Sequence, residues 1–192
     1  MRSGLVLSKR HQIIVFAVLV ALMIASRGHH FPTAAHMLPT ASWATFFLAG
    51  VYLGSAWALG VLLCTAVAVD YAAVTGGGVN GFCISPAYIA LIPAYGALWF
   101  AGRWYAARYR FTSSTLLSLA VAGVVGAAVC ELISSGGFYF YSGRLAQPTL
   151  AGFGQALVTY FPRSLYSLAF WIATSATLHS ALVTVRWGDA RH

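Results

Sequence analysis

A chain of 192 residues that is 60% hydrophobic and only 7% charged lacks the polar inventory to clothe a water-soluble surface, which ordinarily carries about a quarter charged residues. Bilayer lipid must cover most of its exterior, and the length suits one compact membrane domain spanning residues 1–192. The eleven Lys+Arg against three Asp+Glu are spread over short connectors rather than gathered on one face, which excludes a nucleic-acid partner and records membrane topology instead.

The N-terminus carries Arg2, Lys9 and Arg10 ahead of an apolar run and superficially resembles a signal peptide. It has no clear small-residue cleavage site followed by soluble chain, so the run is read as a retained helix. Six apolar spans follow in order, at roughly 12–26, 43–56, 58–75, 87–106, 114–134 and 160–185, which predicts an all-α integral membrane protein with six transmembrane helices. On the first span Ala17, Ala21 and Ala25 recur every four residues, a spacing that lets another helix approach closely. Packing inside the bundle is the leading reading of that stripe; a lipid-facing dock for a partner is the alternative.

The connector after the first span holds His29, His30 and His36. These are candidate metal ligands, but the carboxylates or thiolates that would complete a shell of about four donors are not visible nearby. Interfacial histidines bonded to water or loop carbonyls explain them better. The next stretch, Trp43 to Thr75, is almost uninterruptedly apolar. As one straight helix it would run close to ~50 Å against a hydrocarbon core of about 30 Å, so a turn near Gly54–Gly60 is expected. The charges agree. With that turn and a cytoplasmic N-terminus, Arg2, Lys9, Arg10, Arg103, Arg108, Arg110, Arg186 and Arg191 all lie inside, and only Arg27, Arg144 and Arg163 lie outside.

This topology puts the three elaborate connectors, 27–42, 76–86 and 135–159, on the outer face and predicts a ligand cavity open to that side. Asp70, inside an apolar span, is costly there and is a functional candidate by default, with a structural hydrogen bond to Tyr71 or Tyr88 as the alternative. In Gly76-Gly77-Gly78-Val79-Asn80-Gly81-Phe82-Cys83, the glycines permit close approach to a bulky ligand. Cys83 stands just before a helix that Ser85-Pro86 would start well, where the helix dipole favours thiolate, a soft ligand and strong nucleophile. A buried cysteine that only packs is an equally weighted alternative. Cys64 and Cys130 lie in apolar runs and read as small hydrophobes. Glu131 is a weaker polar candidate, with Arg144 or Arg163 as ion-pair partners. Phe138, Tyr139, Phe140 and Tyr141 follow Gly136-Gly137 in what reads as an outer loop and are candidate ligand contacts. Trp43, Trp57, Tyr95 and Trp99 could line an apolar pocket, but read mostly as an interfacial belt. No P-loop, HExxH, GxSxG or dinucleotide fingerprint is present, so ATP hydrolysis would need a partner.

Two segments carry a family resemblance: Leu38-Pro39-Thr40-Ala41-Ser42-Trp43-Ala44-Thr45-Phe46-Phe47-Leu48-Ala49-Gly50, and Gly78-Val79-Asn80-Gly81-Phe82-Cys83-Ile84-Ser85-Pro86-Ala87-Tyr88. With the six spans and the Ala17/Ala21 spacing, the chain resembles the BtuM family, the cobalamin-specific S-components of energy-coupling-factor (ECF) vitamin transporters. The resemblance implies a multi-pass protein of a bacterial inner membrane that binds and takes up cobalamin (vitamin B12) from a periplasmic pocket. It implies Cys83 as the residue facing cobalt, Asp70 and Tyr88 as its near neighbours, and His29, His30 and the 138–141 aromatics as further ligand contacts. Cobalamin is then the transported ligand, no other cofactor is implied, and an ECF module is the partner that would dock on Ala17, Ala21 and Ala25. A Cys83 thiolate on cobalt could also labilise cyanide on the opposite face, so decyanation of cyanocobalamin is an associated expectation. On this reading Asp70→Asn alters the thiol's reactivity more than the fold. The competing readings are an S-component for another vitamin, a cobalt or nickel permease built on the outer-loop histidines, and a membrane thiol enzyme.

Overall fold

The computed structural model describes residues 7–27, 39–76 and 85–189, with side chains described as far as residue 183. Cys83, His29, His30 and His36 lie outside the described residues. Among the described residues there are six α-helices and no strand: α1 (Lys9–Arg27), α2 (Ser42–Tyr52), α3 (Ala56–Gly76), α4 (Leu91–Arg108), α5 (Ser114–Tyr141) and α6 (Leu150–Asp189). A short 3-10 helix, Pro86–Ala90, leads into α4, with Pro86 in its first turn where a missing N–H costs nothing.

Three of these helices, α1, α3 and α5, are long and apolar enough to cross a membrane. The surface agrees, because large apolar side chains such as Ile13, Val18, Ile92, Phe100, Leu117 and Leu178 remain exposed. Water would penalise that exterior and hydrocarbon would not. The expected break in the long apolar stretch falls at 53–55. Gly54 adopts φ 64°, and the amides of Leu53 and Gly54 both donate to the Ala49 carbonyl to close α2. An L side chain is disfavoured in that left-handed conformation, which is why glycine stops the helix there.

The six helices are unequal. At about 1.5 Å per residue, the 11 residues of α2 reach only about 16 Å, and the 40 of α6 about 60 Å. Nine of the α2 residues are buried, so this short helix is the axis around which α1, α3, α4, α5 and α6 pack. Its closest neighbour is α4, and two glycines set the approach. A β-carbon on Gly50 would overlap the Trp99 carbonyl oxygen, and one on Gly102 would overlap the Phe47 carbonyl oxygen. Small residues let helix backbones meet in this way where lipid supplies no hydrophobic drive. The core around the crossing holds Phe46, Phe47, Leu62, Leu98 and Leu168, with Phe46 stacked on Tyr95 at 4.2 Å between centroids.

Two expectations are corrected. The segment 135–159 is not one loop: α5 continues to Tyr141 and α6 begins at Leu150, leaving 142–149 as the connector. Gly136-Gly137 does not turn the chain. It lies inside α5, where a β-carbon on Gly137 would come within 2.7 Å of the Ala90 β-carbon on the 3-10 helix. The glycine serves packing, and the turn is made by Gly143 at φ 68°. Thr149 then caps α6, its hydroxyl accepting from the Gly152 amide at 3.1 Å. The alanine stripe is the second correction. Ala17, Ala21 and Ala25 are exposed, because α1 turns Leu19, Met23 and Ser26 inward instead.

The connectors sort by end. Phe16 packs on Trp57, and the Arg103 guanidinium lies against Gly54. The start of α1, the 53–55 turn and the basic end of α4 therefore share one end of the bundle. The 3-10 helix and the C-terminal turns of α5 share the other.

Gly102→Ala is expected to cost at least about 2 kcal/mol, because overpacking a close crossing forces backbone shifts. Gly60→Ala, on an α3 face with nothing within 4 Å, should be neutral or stabilising by about 0.5–1 kcal/mol. Thermal unfolding of the two variants in the same detergent checks the contrast, and equal melting temperatures would remove the role given to the α2–α4 crossing.

Candidate functional site

The chain has three acidic residues, and the one at position 70 is joined to a partly buried guanidinium. Arg27, the last residue of α1, presents its fork to Asp70 on α3, with Nε to Oδ1 at 2.6 Å and Nη2 to Oδ2 at 2.7 Å. The third face of the guanidinium is also used. Nη1 donates to Ser42 Oγ, at the first residue of α2, at 3.0 Å and to Tyr95 Oη on α4 at 3.1 Å. From the other side the Tyr88 hydroxyl donates to Asp70 Oδ2 at 2.6 Å. One cation, one carboxylate and three hydroxyls thus join α1, α2, α3, α4 and the 3-10 helix.

Each member is there for a local reason. The planar guanidinium can serve five acceptors from one position, which an ammonium cannot. Two parallel charge-assisted bonds satisfy the partly buried carboxylate. Ser26, next to Arg27, receives the Ala41 amide on its Oγ at 3.0 Å and so closes the entry to α2 beside the ion pair. Tyr95 is almost fully buried, and its hydroxyl is satisfied by Arg27.

The cluster brings together two of the predicted site residues, Asp70 and Tyr88, and it does so on both flanks of residues 77–84, the segment that carries Cys83. Position 70 is six residues before the end of α3, and position 88 is on the 3-10 helix that follows. Their contact therefore fixes the separation between the segment's two anchors. Ser85, at the nearer anchor, keeps its Oγ buried without a hydrogen-bond partner among the described residues.

The 138–141 aromatics divide. Tyr139 and Phe140 pack against Phe153 of α6 at 5.6 and 5.4 Å between centroids, forming a clamp between the two helices. Phe138 is half-buried and Tyr141 is exposed. All four lie on α5 rather than in a loop, near the 3-10 helix that carries Tyr88. Glu131 is buried and accepts from the Ser135 hydroxyl at 2.6 Å, one turn along α5. Cys130 is buried and Cys64 exposed. Among the described residues no three His, Cys, Asp or Glu side chains gather into a metal site. Tyr95 and Trp99, read from sequence as belt residues, belong to the core.

Arg27 and Ser42 were not singled out by sequence reasoning as site residues, and Tyr95 was read there only as a pocket-lining or belt aromatic. The signal for Arg27 was available: a basic residue at the outer end of a span, in a chain where an intramembrane carboxylate must find a cation. No family model matches the sequence, and no curated protein is significantly similar to it.

The pair makes Asp70 a structural as well as a site residue. Arg27→Gln or Asp70→Asn alone is expected to destabilise the fold by about 3 kcal/mol, because each leaves a partly buried charge uncompensated. The apolar double variant Arg27→Met/Asp70→Leu should recover most of that loss, and Tyr88→Phe should cost about 1 kcal/mol. Denaturation of the four variants in one detergent gives the comparison. Additive losses in the double variant would show that the two side chains do not act as a pair.

Proposed function

We propose that this chain binds cobalamin at the end of the bundle marked by the Arg27–Asp70–Tyr88 cluster and carries it across a bacterial inner membrane. In this reading all six helices contribute to a multi-pass bundle with both termini cytoplasmic, and the basic end of α4 faces the cytoplasm. The observation that carries the proposal is the 2.6 Å bond between Tyr88 and Asp70, which anchors both flanks of the glycine-rich segment bearing Cys83. A segment held at both ends can present one side chain reproducibly to a large ligand, and preorganisation of this kind lowers the cost of binding.

The chemistry assigned to Cys83 follows from its sulfur. A thiolate is a soft donor suited to the metal of a corrin. On cyanocobalamin it would form a cobalt–sulfur bond on the face from which the nucleotide base has been displaced. The donation weakens the bond to cyanide opposite, which leaves with its electron pair and is protonated by solvent, while water takes its place. Cobalt keeps its oxidation state throughout. His29, His30, Tyr88 and the aromatic end of α5 would supply the surrounding contacts. The exposed stripe Ala17, Ala21 and Ala25 is available to an energising ECF module, as a flat surface of small side chains on α1.

The test is the visible spectrum of the purified protein after exposure to cyanocobalamin. The native chain should retain a red corrin with shifted bands, and Cys83→Ser should return the bands to those of a corrin without sulfur ligation. Cyanide should appear in solution with the native chain only. Matching spectra from the two proteins would overturn cobalt–sulfur ligation, and failure to retain any corrin would overturn the ligand itself.

A further inference from the structure

At the end of the bundle opposite the Arg27 cluster, α2, α4, α5 and α6 enclose an open cavity of about 280 Å³ beneath the connector between α4 and α5. That volume, near the lower end of the roughly 300–1,000 Å³ of ligand pockets, suits a headgroup. Nothing proposed above uses it.

Its lining has two kinds of surface. Phe47, Leu48, Leu119 and Ile172 form an apolar wall on the bundle side. Hydrogen-bond donors gather on the other. Tyr105 is 7% exposed as a residue and lines the cavity, and its hydroxyl is not among the buried polar atoms left without a partner, so it is open to a ligand there. Its ring stands edge-on to Tyr109, 6.0 Å away between centroids, and the Tyr109 hydroxyl is held 3.0 Å from His179 Nε2. The connector above is shaped by Thr115, whose hydroxyl donates to the Arg110 carbonyl and accepts from the Arg110 amide. Thr112 Oγ1 lies 2.9 Å from Ser114 Oγ in the same turn. Arg110 stands at the cavity's rim, and no Asp or Glu lines it.

A phenol, an arginine at the rim and a hydroxyl-rich turn line a space without carboxylates. Donors arranged in this way complement a phosphate, and Arg is well suited to its geometry. The apolar wall beside them suits an acyl chain. We propose that this cavity holds an anionic phospholipid, its phosphate bound by Arg110 and the Tyr105 hydroxyl and its glycerol end directed toward the apolar wall. The site gives the basic end of the bundle a bound lipid, separate from the cluster at the other end.

Native mass spectrometry of the full chain released from detergent tests this, with phosphatidylglycerol, diacylglycerol of the same acyl chains and glycerol 3-phosphate as separate probes. Phosphatidylglycerol should give a one-to-one adduct at least tenfold tighter than either other probe. Arg110→Gln and Tyr105→Phe should each weaken it at least fivefold, while Arg163→Gln leaves it unchanged. Because Arg110 is exposed and Tyr105→Phe removes only an oxygen, unchanged melting temperatures would accompany those losses. Equal retention of diacylglycerol would overturn the phosphate's role, equal binding of glycerol 3-phosphate would overturn the lipid as its source, and wild-type affinity in both variants would overturn the site.

Discussion

The fold depends on where one guanidinium finds its acceptors. Arg27 ends α1 partly buried among its neighbours, with its side chain 14% exposed, so most of its solvation must come from the protein. Its donors are met by Asp70, Ser42 and Tyr95, which belong to three other helices. The arrangement is specific because the alternative is costly: a partly buried charge left without its partner destabilises the fold by several kcal/mol. Hydrophobic packing alone fixes membrane helices poorly, since one apolar face is as good as another against lipid. A five-donor cation with assigned partners removes that degeneracy. It sets the level at which α1 stops, α2 starts and α3 and α4 pass.

The glycine contacts complement the ion pair. Gly50 and Gly102 bring α2 and α4 together, and Gly126 does the same for α5 against Ala101 of α4. These contacts fix distance, whereas the Arg27 cluster fixes register. Neither suffices alone. A close crossing without a polar lock can slide along its small residues, and a polar lock without close packing leaves voids whose lining atoms lose their dispersion contacts. The two devices converge on α2, which is too short to cross a bilayer and is held almost entirely by its neighbours.

Much of this was legible in the sequence. The break near Gly54 followed from length, since a single helix over the whole apolar stretch could not fit a bilayer. That Asp70 needs a polar partner followed from the cost of a lone carboxylate among apolar residues, with Tyr71 and Tyr88 both open; the structure selects Tyr88. What escaped was set by neighbours that the linear order does not display. Gly136-Gly137 looked like a turn because glycine pairs usually loosen a chain, yet here the missing side chain admits Ala90. The Ala17 stripe looked like an internal seam, but α1 buries the face carrying Leu19 and Met23. A periodicity of four defines a face and leaves open which way it points. Arg27 was counted as a topological charge, although with so few carboxylates in the chain its partner was nearly determined.

That partner changes the meaning of the charge distribution. At the end of the bundle that carries Tyr88, the Arg27 charge is held in an ion pair with Asp70 at 2.6 Å. At the opposite end Arg108 stacks on Trp104 at 4.1 Å with its charge intact, where it can meet anionic headgroups. The two ends therefore use basic residues in opposite ways. One pairs a guanidinium with a carboxylate to lock four helices and the 3-10 helix together; the other leaves its arginines exposed at the bundle's surface.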